Sequence, residues 1–340
     1  MIQRILSVQK MYPGVVTPFN IGMHTAKMLY HMMLKDGVAP EPLNIDLKVT
    51  KRCNAHCEFC FADIGSGEEL PVEAYSSLAK AFKKKKAFFI TGGEPFLRAD
   101  IYELFKAIKD EGHEVGAVTN SSLIKKEDYV KLKILDSLVL SVHGTKEVHD
   151  ALLGVRSFDR AMQILHYLSR MKPRPYLLVN SVVNDGTRDK LGLLKQECRD
   201  ADEFRVSNIS FLLKEELKNH KSESRRRFGE EIVTTQYIAP DVPKKPEHIE
   251  GELYPDLTES EIVSWYSHKF ITKRRCLYIH SSVFVAENGD VHPCQYYKYP
   301  VGNIKSQPLK EIWNSPKMRK FRREISAKLL PGCSRCCKLL

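Results

Sequence analysis

The sequence predicts an α/β fold built on a parallel sheet, and three observations carry that reading. From Leu43 to about Ile209, short apolar runs alternate with amphipathic segments, the pattern of repeated strand–helix units. The two densest chemical motifs follow the first two apolar runs directly, at the C-terminal ends of parallel strands, where sites in such folds collect. A chain of 340 residues, 43% of them hydrophobic, can form one large domain plus a smaller one.

Taken in order, residues 1–42 precede the first strand. Within them Met23 to Leu34 is methionine-rich with apolar residues at helical spacing, which predicts a helix packed on the body of the fold; an interfacial helix touching lipid or an apolar substrate is the sharper alternative. Strands are expected at Leu43–Val49, Ala87–Ile90, Glu114–Thr119, Ser137–Val142, Tyr176–Val183 and Glu203–Ile209. Helices are expected at Val72–Lys84, Ile101–Glu111, Lys125–Leu132, Phe158–Met171 and Arg188–Arg199. From Phe211 to about Phe270 the alternation breaks. Lys214–Arg227 is highly charged and reads as an exposed helix; Ala239–Pro255, with Pro240, Pro243, Pro246 and Pro255, reads as an extended linker. Thr258 and Glu261 form a capping box for a helix ending near Phe270. This insertion either covers the mouth of the fold or acts as a spacer. In the tail, Ser282–Ala286 alternates like a strand, Glu287-Asn288-Gly289-Asp290 is a hairpin turn, and Val291 to Cys294 is the return strand.

The formal charge is +11, a bias toward phosphate-bearing substrates, nucleic acid or anionic lipid headgroups. Its clusters, Lys83–Lys86, Arg225–Arg227, Lys273–Arg275 and Lys317–Arg323, also fit solvated faces, and nucleic acid is the least favoured partner. No stretch approaches 18 apolar residues and the N-terminus lacks a signal-like pattern, so the expected location is the cytoplasm. Clustered thiols suit that reducing compartment. The odd count of nine cysteines argues against a disulfide framework.

Three of those cysteines are spaced Cys53-x-x-x-Cys57-x-x-Cys60. Three thiolates this close can hold three corners of a [4Fe–4S] cluster and leave the fourth iron open. Zinc is the alternative, although a structural zinc site wants four ligands and no fourth lies nearby. The run Ala87-Phe88-Phe89-Ile90 then ends in Thr91-Gly92-Gly93-Glu94-Pro95. Paired glycines let the backbone turn tightly and approach a ligand closely, and Glu94 offers a carboxylate suited to an ammonium group. A lone Gly-Gly would be read as a plain turn.

Together, CxxxCxΦC (Phe59 as the aromatic Φ) and GGEP resemble the signatures of the radical S-adenosylmethionine (SAM) superfamily. The resemblance implies a partial (β/α)6 TIM-like barrel in which Cys53, Cys57 and Cys60 bind the cluster and SAM chelates its open iron. Gly92, Gly93 and Glu94 would line the methionine end of SAM. Reduction would cleave SAM to methionine and a 5′-deoxyadenosyl radical that abstracts hydrogen from a substrate, with an electron donor such as flavodoxin or ferredoxin. The radical chemistry belongs to the cofactors; the protein positions them and excludes water. On the same rim, Asn120 after the third strand and Ser141 at the end of the fourth are the stronger candidates for SAM contacts. Asn180 and Asn184 near the end of the fifth are contacts or capping residues. His143 either faces the substrate or is a hydrogen-bonded structural histidine.

In the tail, Cys276, Gly289-x-x-x-x-Cys294, Gly302-Asn303-Ile304, Ile312-Trp313 and Cys333-Ser334-Arg335-Cys336-Cys337 resemble the SPASM/twitch auxiliary-cluster domain of radical SAM enzymes. A full SPASM domain carries further cysteines after the CxxC. The shortened set implies one auxiliary [4Fe–4S] cluster held by Cys276, Cys294, Cys333 and Cys336, with Cys337 able to replace Cys336. A zinc ribbon is the alternative for the same ligands. Cys198, alone in an expected helix, reads as an inert buried thiol. The expected division is thus an N-terminal helical extension (1–42), the barrel (43–210), the charged insertion (211–270) and a β-hairpin/helix auxiliary-cluster domain (271–340).

The functional expectation is a radical SAM enzyme acting on a small or amphiphilic metabolite, with the auxiliary cluster accepting or relaying electrons. A peptide- or protein-modifying maturase is the alternative, weakened because the front segment is shorter than a winged-helix leader-binding domain. A non-catalytic iron–sulfur sensor that binds SAM is the rival from another class. Peripheral membrane contact is the partner that the interfacial alternative for the methionine-rich front helix would imply.

Overall fold

The computed structural model describes residues 2–183, 187, 189–245, 252–254, 257–268, 272, 274–336 and 338–339. Asn184, Arg188, Pro246, Pro255, Phe270, Lys273 and Cys337, named above, lie outside the described residues. Two helices come first, α1 (Ile2–Met11) and α2 (Pro18–Leu34). The repeating core follows as β1 (Asn44–Lys48), α3 (Val72–Lys80), β2 (Ala87–Thr91), α4 (Ile101–Asp110), β3 (Glu114–Thr119), β4 (Ser137–Ser141), α5 (Lys146–Leu153), α6 (Phe158–Ser169), β5 (Tyr176–Val182), α7 (Leu191–Glu197) and β6 (Glu203–Ser207). The insertion holds β7 (Phe211–Leu213), α8 (Lys214–Phe228), β8 (Val233–Thr234), β9 (Tyr237–Ala239), β10 (Glu252–Tyr254) and α9 (Glu259–Trp265). The tail adds α10 (Tyr278–Ser281), β11 (Ser282–Val285), β12 (Asp290–His292), β13 (Tyr297–Lys298), β14 (Gly302–Asn303), α11 (Leu309–Trp313) and α12 (Pro316–Ala327).

The main sheet runs β10-β6-β5-β4-β3-β2-β1-β11-β12-β14, with β1 to β6 parallel in chain order. The six expected strands are therefore present, each within a residue or two of its expected ends. β11 pairs parallel with β1, Asn44 opposite Ser282, so the C-terminal hairpin continues the barrel sheet. The alternation within each strand explains the layering, because successive side chains point to opposite faces. Ile45, Leu47, Phe88, Ile90, Leu138 and Leu140 are buried in the core beneath the helices. The intervening positions are far more polar: Asn44, Asp46 and Lys48 on β1, Glu114 on β3, Ser137 and Ser141 on β4, Glu203 and Arg205 on β6.

The start of that polar face is closed by the N-terminal segment, which the sequence reading left unassigned before Met23. Met11, Tyr12, Val15 and Val16 pack with Ala87, Val139 and Leu178. The Gly14 and Val15 N–H groups donate to the Glu114 carboxylate at 2.7 and 3.1 Å, and Arg205 donates to Ser7 Oγ at 2.8 Å. A side chain at position 116 would meet Tyr12 Oη at 2.2 Å, so glycine there makes room for the tyrosine. α2 begins five residues earlier than expected, at Pro18, because Thr17 caps it by accepting from the Asn20 N–H.

Some elements depart from expectation for local reasons. The helix expected at Lys125–Leu132 is instead a 3₁₀ run over Lys126–Ile134, whose buried Tyr129 and Leu132 are three residues apart and stack on one face of a three-residue turn. α5 is an additional helix between β4 and α6, where the sequence pattern led to no helix being expected. The expected capping box is present, with the Thr258 hydroxyl accepting from the Glu261 N–H and the Glu261 carboxylate accepting from the Thr258 N–H. The hairpin forms as read: the Gly289 N–H bonds Ala286 O and Gly289 is left-handed at φ +92°, a conformation open to glycine.

Candidate functional site

The two motifs at the ends of β1 and β2 are joined through backbone. The Val49 N–H donates to Thr91 O at 2.9 Å, Gly93 N–H to Thr50 O at 2.9 Å, and Glu94 N–H to Arg52 O at 2.8 Å, one residue before Cys53. The close approach that requires glycine is made to this segment. A Cβ at position 93 would lie 2.2 Å from Arg52 O and 2.8 Å from Cys53 Cβ, and one at 92 would lie 2.9 Å from Thr50 O. Gly92 also lines the main cavity of the site, whereas Gly93 is committed to positioning the cysteine loop.

Cys53, Cys57 and Cys60 share that loop as half-buried free thiols, and Cys60 N–H closes a turn on Cys57 O at 3.0 Å. Burial raises all three; Cys57 is pushed up to about 12, burial first and then the neighbouring Cys60 and Cys53. Such thiols become ligands only by losing their protons to a positively charged centre. Backbone N–H groups of Ala55 and Ala62 already point at Cys53 Sγ and Cys60 Sγ, both at 3.4 Å, as donors to coordinated sulfur do. Among the described residues no three His, Cys, Asp or Glu side chains converge on a point that would hold a single ion. Spread thiols on one loop suit a cluster, in which each iron takes its own thiolate, better than zinc.

Glu94 is 1% exposed. Its Oε1 accepts from Thr119 Oγ1 at 2.8 Å and Phe96 N–H at 3.1 Å, and its Oε2 accepts from Asn120 N–H at 2.8 Å. Burial lifts its carboxyl to about 7 in spite of these three bonds, which favour the charged form. A carboxylate offers about four acceptor sites, so one on Oε2 stays open for an ammonium group. Asn120 braces the cysteine loop: its Nδ2 donates to Asn54 Oδ1 at 3.0 Å, and its Oδ1 accepts from Ser122 N–H and Oγ at 2.9 and 2.6 Å.

Ser141 and Asn180 are register partners on β4 and β5, and Asn180 Oδ1 accepts from Ser207 Oγ of β6 at 2.7 Å. Asn180 is thus a mid-strand residue on the polar face, not the capping or turn residue held open above. His143 is a buried structural histidine. Its Nδ1 accepts from Val182 N–H at 3.2 Å, and its ring meets Phe59 edge-on with centroids 5.1 Å apart, which fixes the aromatic of the cysteine motif.

Between these elements and the C-terminal hairpin lies a cavity of about 210 Å³. Its charged wall was not foreseen. Lys48 Nζ donates to Asp63 O at 3.0 Å and lies 3.6 Å from Glu287 Oε2; Lys51 Nζ is 3.3 Å from Glu287 Oε1; Lys298 Nζ pairs with Asp63 Oδ1 at 2.5 Å. Burial pulls the Lys48 ammonium below its ordinary range against the pull of Glu287 and Asp63. Burial works to raise Asp63, but Lys298, Lys48 and Lys51 together hold it low. The signal was in β1, where Asn44, Asp46 and Lys48 interrupt an apolar strand at every second position.

A second, smaller cavity is lined by Cys276, Cys294, Cys333 and Cys336 together with Phe321 and Ile325. Burial and mutual proximity raise Cys294 and Cys333, the latter to about 12. Tyr297 Oη lies 3.0 Å from Cys333 Sγ, and Lys338 N–H donates to Cys336 Sγ at 3.3 Å. The donor set fits a fully ligated cluster. Arg335, present in the Cys333–Cys337 run but given no role by the sequence, is buried beside it. It donates to both Glu216 oxygens at 2.6 Å and to Trp265 O at 2.8 Å, and stacks on Phe211.

Comparison with known proteins agrees with this geometry. Residues 47–190 match the family model described as the radical SAM superfamily, and residues 276–337 match SPASM, an iron–sulfur cluster-binding domain. The chain belongs to the radical SAM superfamily. It is a radical SAM enzyme with an SPASM-type tail, and its cofactors are SAM, a SAM-binding [4Fe–4S] cluster and an auxiliary [4Fe–4S] cluster.

Among the relatives of this radical SAM enzyme, an AdoMet-dependent heme synthase of Oleidesulfovibrio alaskensis is 25% identical over 336 residues, 89% of this chain and 82% of that protein. The sporulation killing factor maturation protein SkfB of Bacillus subtilis is 22% identical over 309 residues, 83% of this chain and 67% of that protein. The crystal structure of Streptococcus suis SuiB bound to S-adenosylmethionine shares the fold at a TM-score of 0.60 and 21% identity, covering 93% of this chain and 76% of that one. No helix among the described residues is long and apolar enough to cross a membrane.

Proposed function

We propose that the enzyme removes a hydrogen atom from a small metabolite, or from the reacting end of an amphiphilic one, and passes an electron from that substrate toward the auxiliary cluster. The observation that carries this reading is the shared wall between two cavities. Tyr297 and Gln295 line both the 210 Å³ cavity beside Thr91, Gly92 and Asp63 and the smaller cavity around the four tail cysteines. Cys53, Cys57 and Cys60 would hold the SAM-binding cluster; Cys276, Cys294, Cys333 and Cys336 would hold the auxiliary one. When bound, the first cluster and SAM supply reductive cleavage of SAM and a radical able to abstract hydrogen.

The chain's own groups do the rest. Glu94 offers its remaining acceptor site to an ammonium, Ser141 and Asn180 present polar atoms on the barrel's inner face, and the Lys48–Asp63–Glu287 network walls the cavity. Relatives named AdoMet-dependent heme synthase and pre-heme d1 synthase support an amphiphilic metabolite; SkfB keeps a peptide as the second reading.

The test is 5′-deoxyadenosine release by anaerobically reconstituted, reduced protein, beside a Cys53/Cys57/Cys60→Ala variant. Release should vanish in the variant and accelerate with the low-molecular-mass fraction of a cell extract. Acceleration by a peptide fraction alone would transfer the assignment to peptide modification.

A further inference from the structure

The outward face of α2 is unlike the rest of the surface. Phe19, Met23, Ala26, Tyr30, Met33 and Leu34 fall within a stripe about 100° wide at 3.6 residues per turn. All six are exposed, Phe19 by 75%, Tyr30 by 59% and Met33 by 81%. The helix is inverted relative to an ordinary surface helix: its buried face carries His24 and Met28, and its solvent face carries the large apolar side chains. Contiguous exposure of this kind marks an interaction surface.

We propose that α2 docks the protein on an anionic lipid surface, lying in the headgroup plane. Charge complementarity selects this occupant. The first 35 residues contain Arg4, Lys10, Lys27 and Lys35 and no acidic residue. Lys27 borders the apolar stripe, where its stem can lie along the apolar surface while the ammonium reaches phosphate. Basic groups also stand at both ends of the helix. The Lys85 side chain reaches Gly14, four residues before α2, and Lys83 and Lys84 beside it are exposed. Arg319 and Arg323 of α12 donate to Asp36 O at 3.0 and 3.2 Å, two residues beyond α2. With 17 residues, the helix is about 25 Å long and lies on a bilayer instead of spanning it.

The docking geometry also orients the enzyme. Residues 7–15 and α2 contact the strand-start end of the barrel, at Glu203, Glu114 and the segment leading into β11, whereas the cysteine loop sits at the strand ends. The cavity mouth then faces water. This inference does not rest on the substrate reading.

The test is co-sedimentation of the full-length reconstituted protein with vesicles of phosphatidylglycerol and phosphatidylcholine in equal parts. Binding is expected at low salt, at least tenfold weaker on pure phosphatidylcholine, and at least tenfold weaker for Phe19→Ser/Tyr30→Ser/Met33→Ser. The charge variant Lys27→Glu/Lys84→Glu/Lys85→Glu should lose binding to a similar extent, since each lysine near the surface contributes roughly fivefold. It keeps the test decisive if the apolar triple fails to fold. Basal 5′-deoxyadenosine release should be unchanged in both. Wild-type protein that stays in the supernatant, or binds neutral and anionic vesicles alike, overturns the proposal. A dimer in sedimentation velocity that the triple substitution dissociates, without vesicle binding, overturns it in favour of a second copy covering the helix.

Discussion

Lys48 on β1 and Glu287 at the tip of the C-terminal hairpin face each other at 3.6 Å, and both side chains are more than nine-tenths buried. They are 239 positions apart in the sequence, yet they fasten the cysteine loop to the tail, because Lys48 also holds Asp63 O and Asp63 follows Cys60 by three residues. The pairing sits beside the β1–β11 register and makes the tail part of the cavity wall.

Removing one partner from such a buried pair leaves a charge without compensation. Glu287→Ala should lower unfolding stability by about 3 kcal/mol, since uncompensated buried charges cost roughly 3–5 kcal/mol and Lys48 keeps Asp63 nearby. In a double-mutant cycle with Lys48→Met, urea unfolding should show a coupling of about 1–3 kcal/mol. Strict additivity would mean that the two side chains do not act as a pair.

Gly93→Ala should disturb the SAM-cluster site before it disturbs the fold. The added methyl would stand 2.2 Å from Arg52 O, which is backbone and cannot swing aside. Overpacking of this kind costs roughly 1–3 kcal/mol, and relief is available only by displacing Arg52 and Cys53. In a background with Cys294 and Cys333 replaced by alanine, the variant should retain markedly less iron per chain while its far-UV circular dichroism stays near that of the parent. Full iron content would show that the glycine is not needed to place the loop.

These two cases mark where the sequence was legible. The cysteine triad, the Gly-Gly turn, the Glu287–Asp290 hairpin and the Thr258–Glu261 box are short-range patterns whose geometry is dictated within a few residues, and each is found where it was read. Lys48–Glu287 and Arg335–Glu216 are long-range pairings, and a charged residue in a sequence carries no mark of its partner. Arg335 stood inside the recognised Cys333–Cys337 run and passed unnoticed because only its neighbours had metal-ligand chemistry. The plug formed by Met11, Tyr12 and Val15 escaped for a similar reason: its apolar residues match the polar face of a barrel that exists only after folding.

The buried histidines predict how stability follows pH. His149 is fully buried; its Nδ1 accepts from His143 N–H at 3.0 Å and its Nε2 meets Ser157 Oγ at 2.8 Å. Burial lowers His149 to about 4 and His143 to about 3. Both rings stay neutral in the fold while an unfolded histidine, titrating near 6.5, takes up a proton. Their contribution is therefore complete above pH 6.5 and is lost as pH falls toward 4. For His149 alone this amounts to about 2 kcal/mol between pH 6.5 and 5. His149→Asn, which keeps an acceptor near the Nδ1 position, should flatten that slope in urea titrations.

Tyr297→Phe tests the link between substrate cavity and auxiliary cluster with the least change in shape. The phenol stands 3.0 Å from Cys333 Sγ, and beside a coordinated thiolate its O–H is the donor. A hydrogen bond to cluster sulfur favours the reduced state, so its loss should lower the potential. One such bond, taken as about 1 kcal/mol, corresponds to about 40 mV for a one-electron couple. A redox titration followed by electron paramagnetic resonance would read that shift, while 5′-deoxyadenosine release, which depends on Cys53, Cys57 and Cys60, should persist. Because Tyr297 also lines the 210 Å³ cavity, coupled product formation should fall more steeply than SAM cleavage. An unchanged potential together with unchanged coupling would make Tyr297 a packing residue and remove the proposed electron path through it.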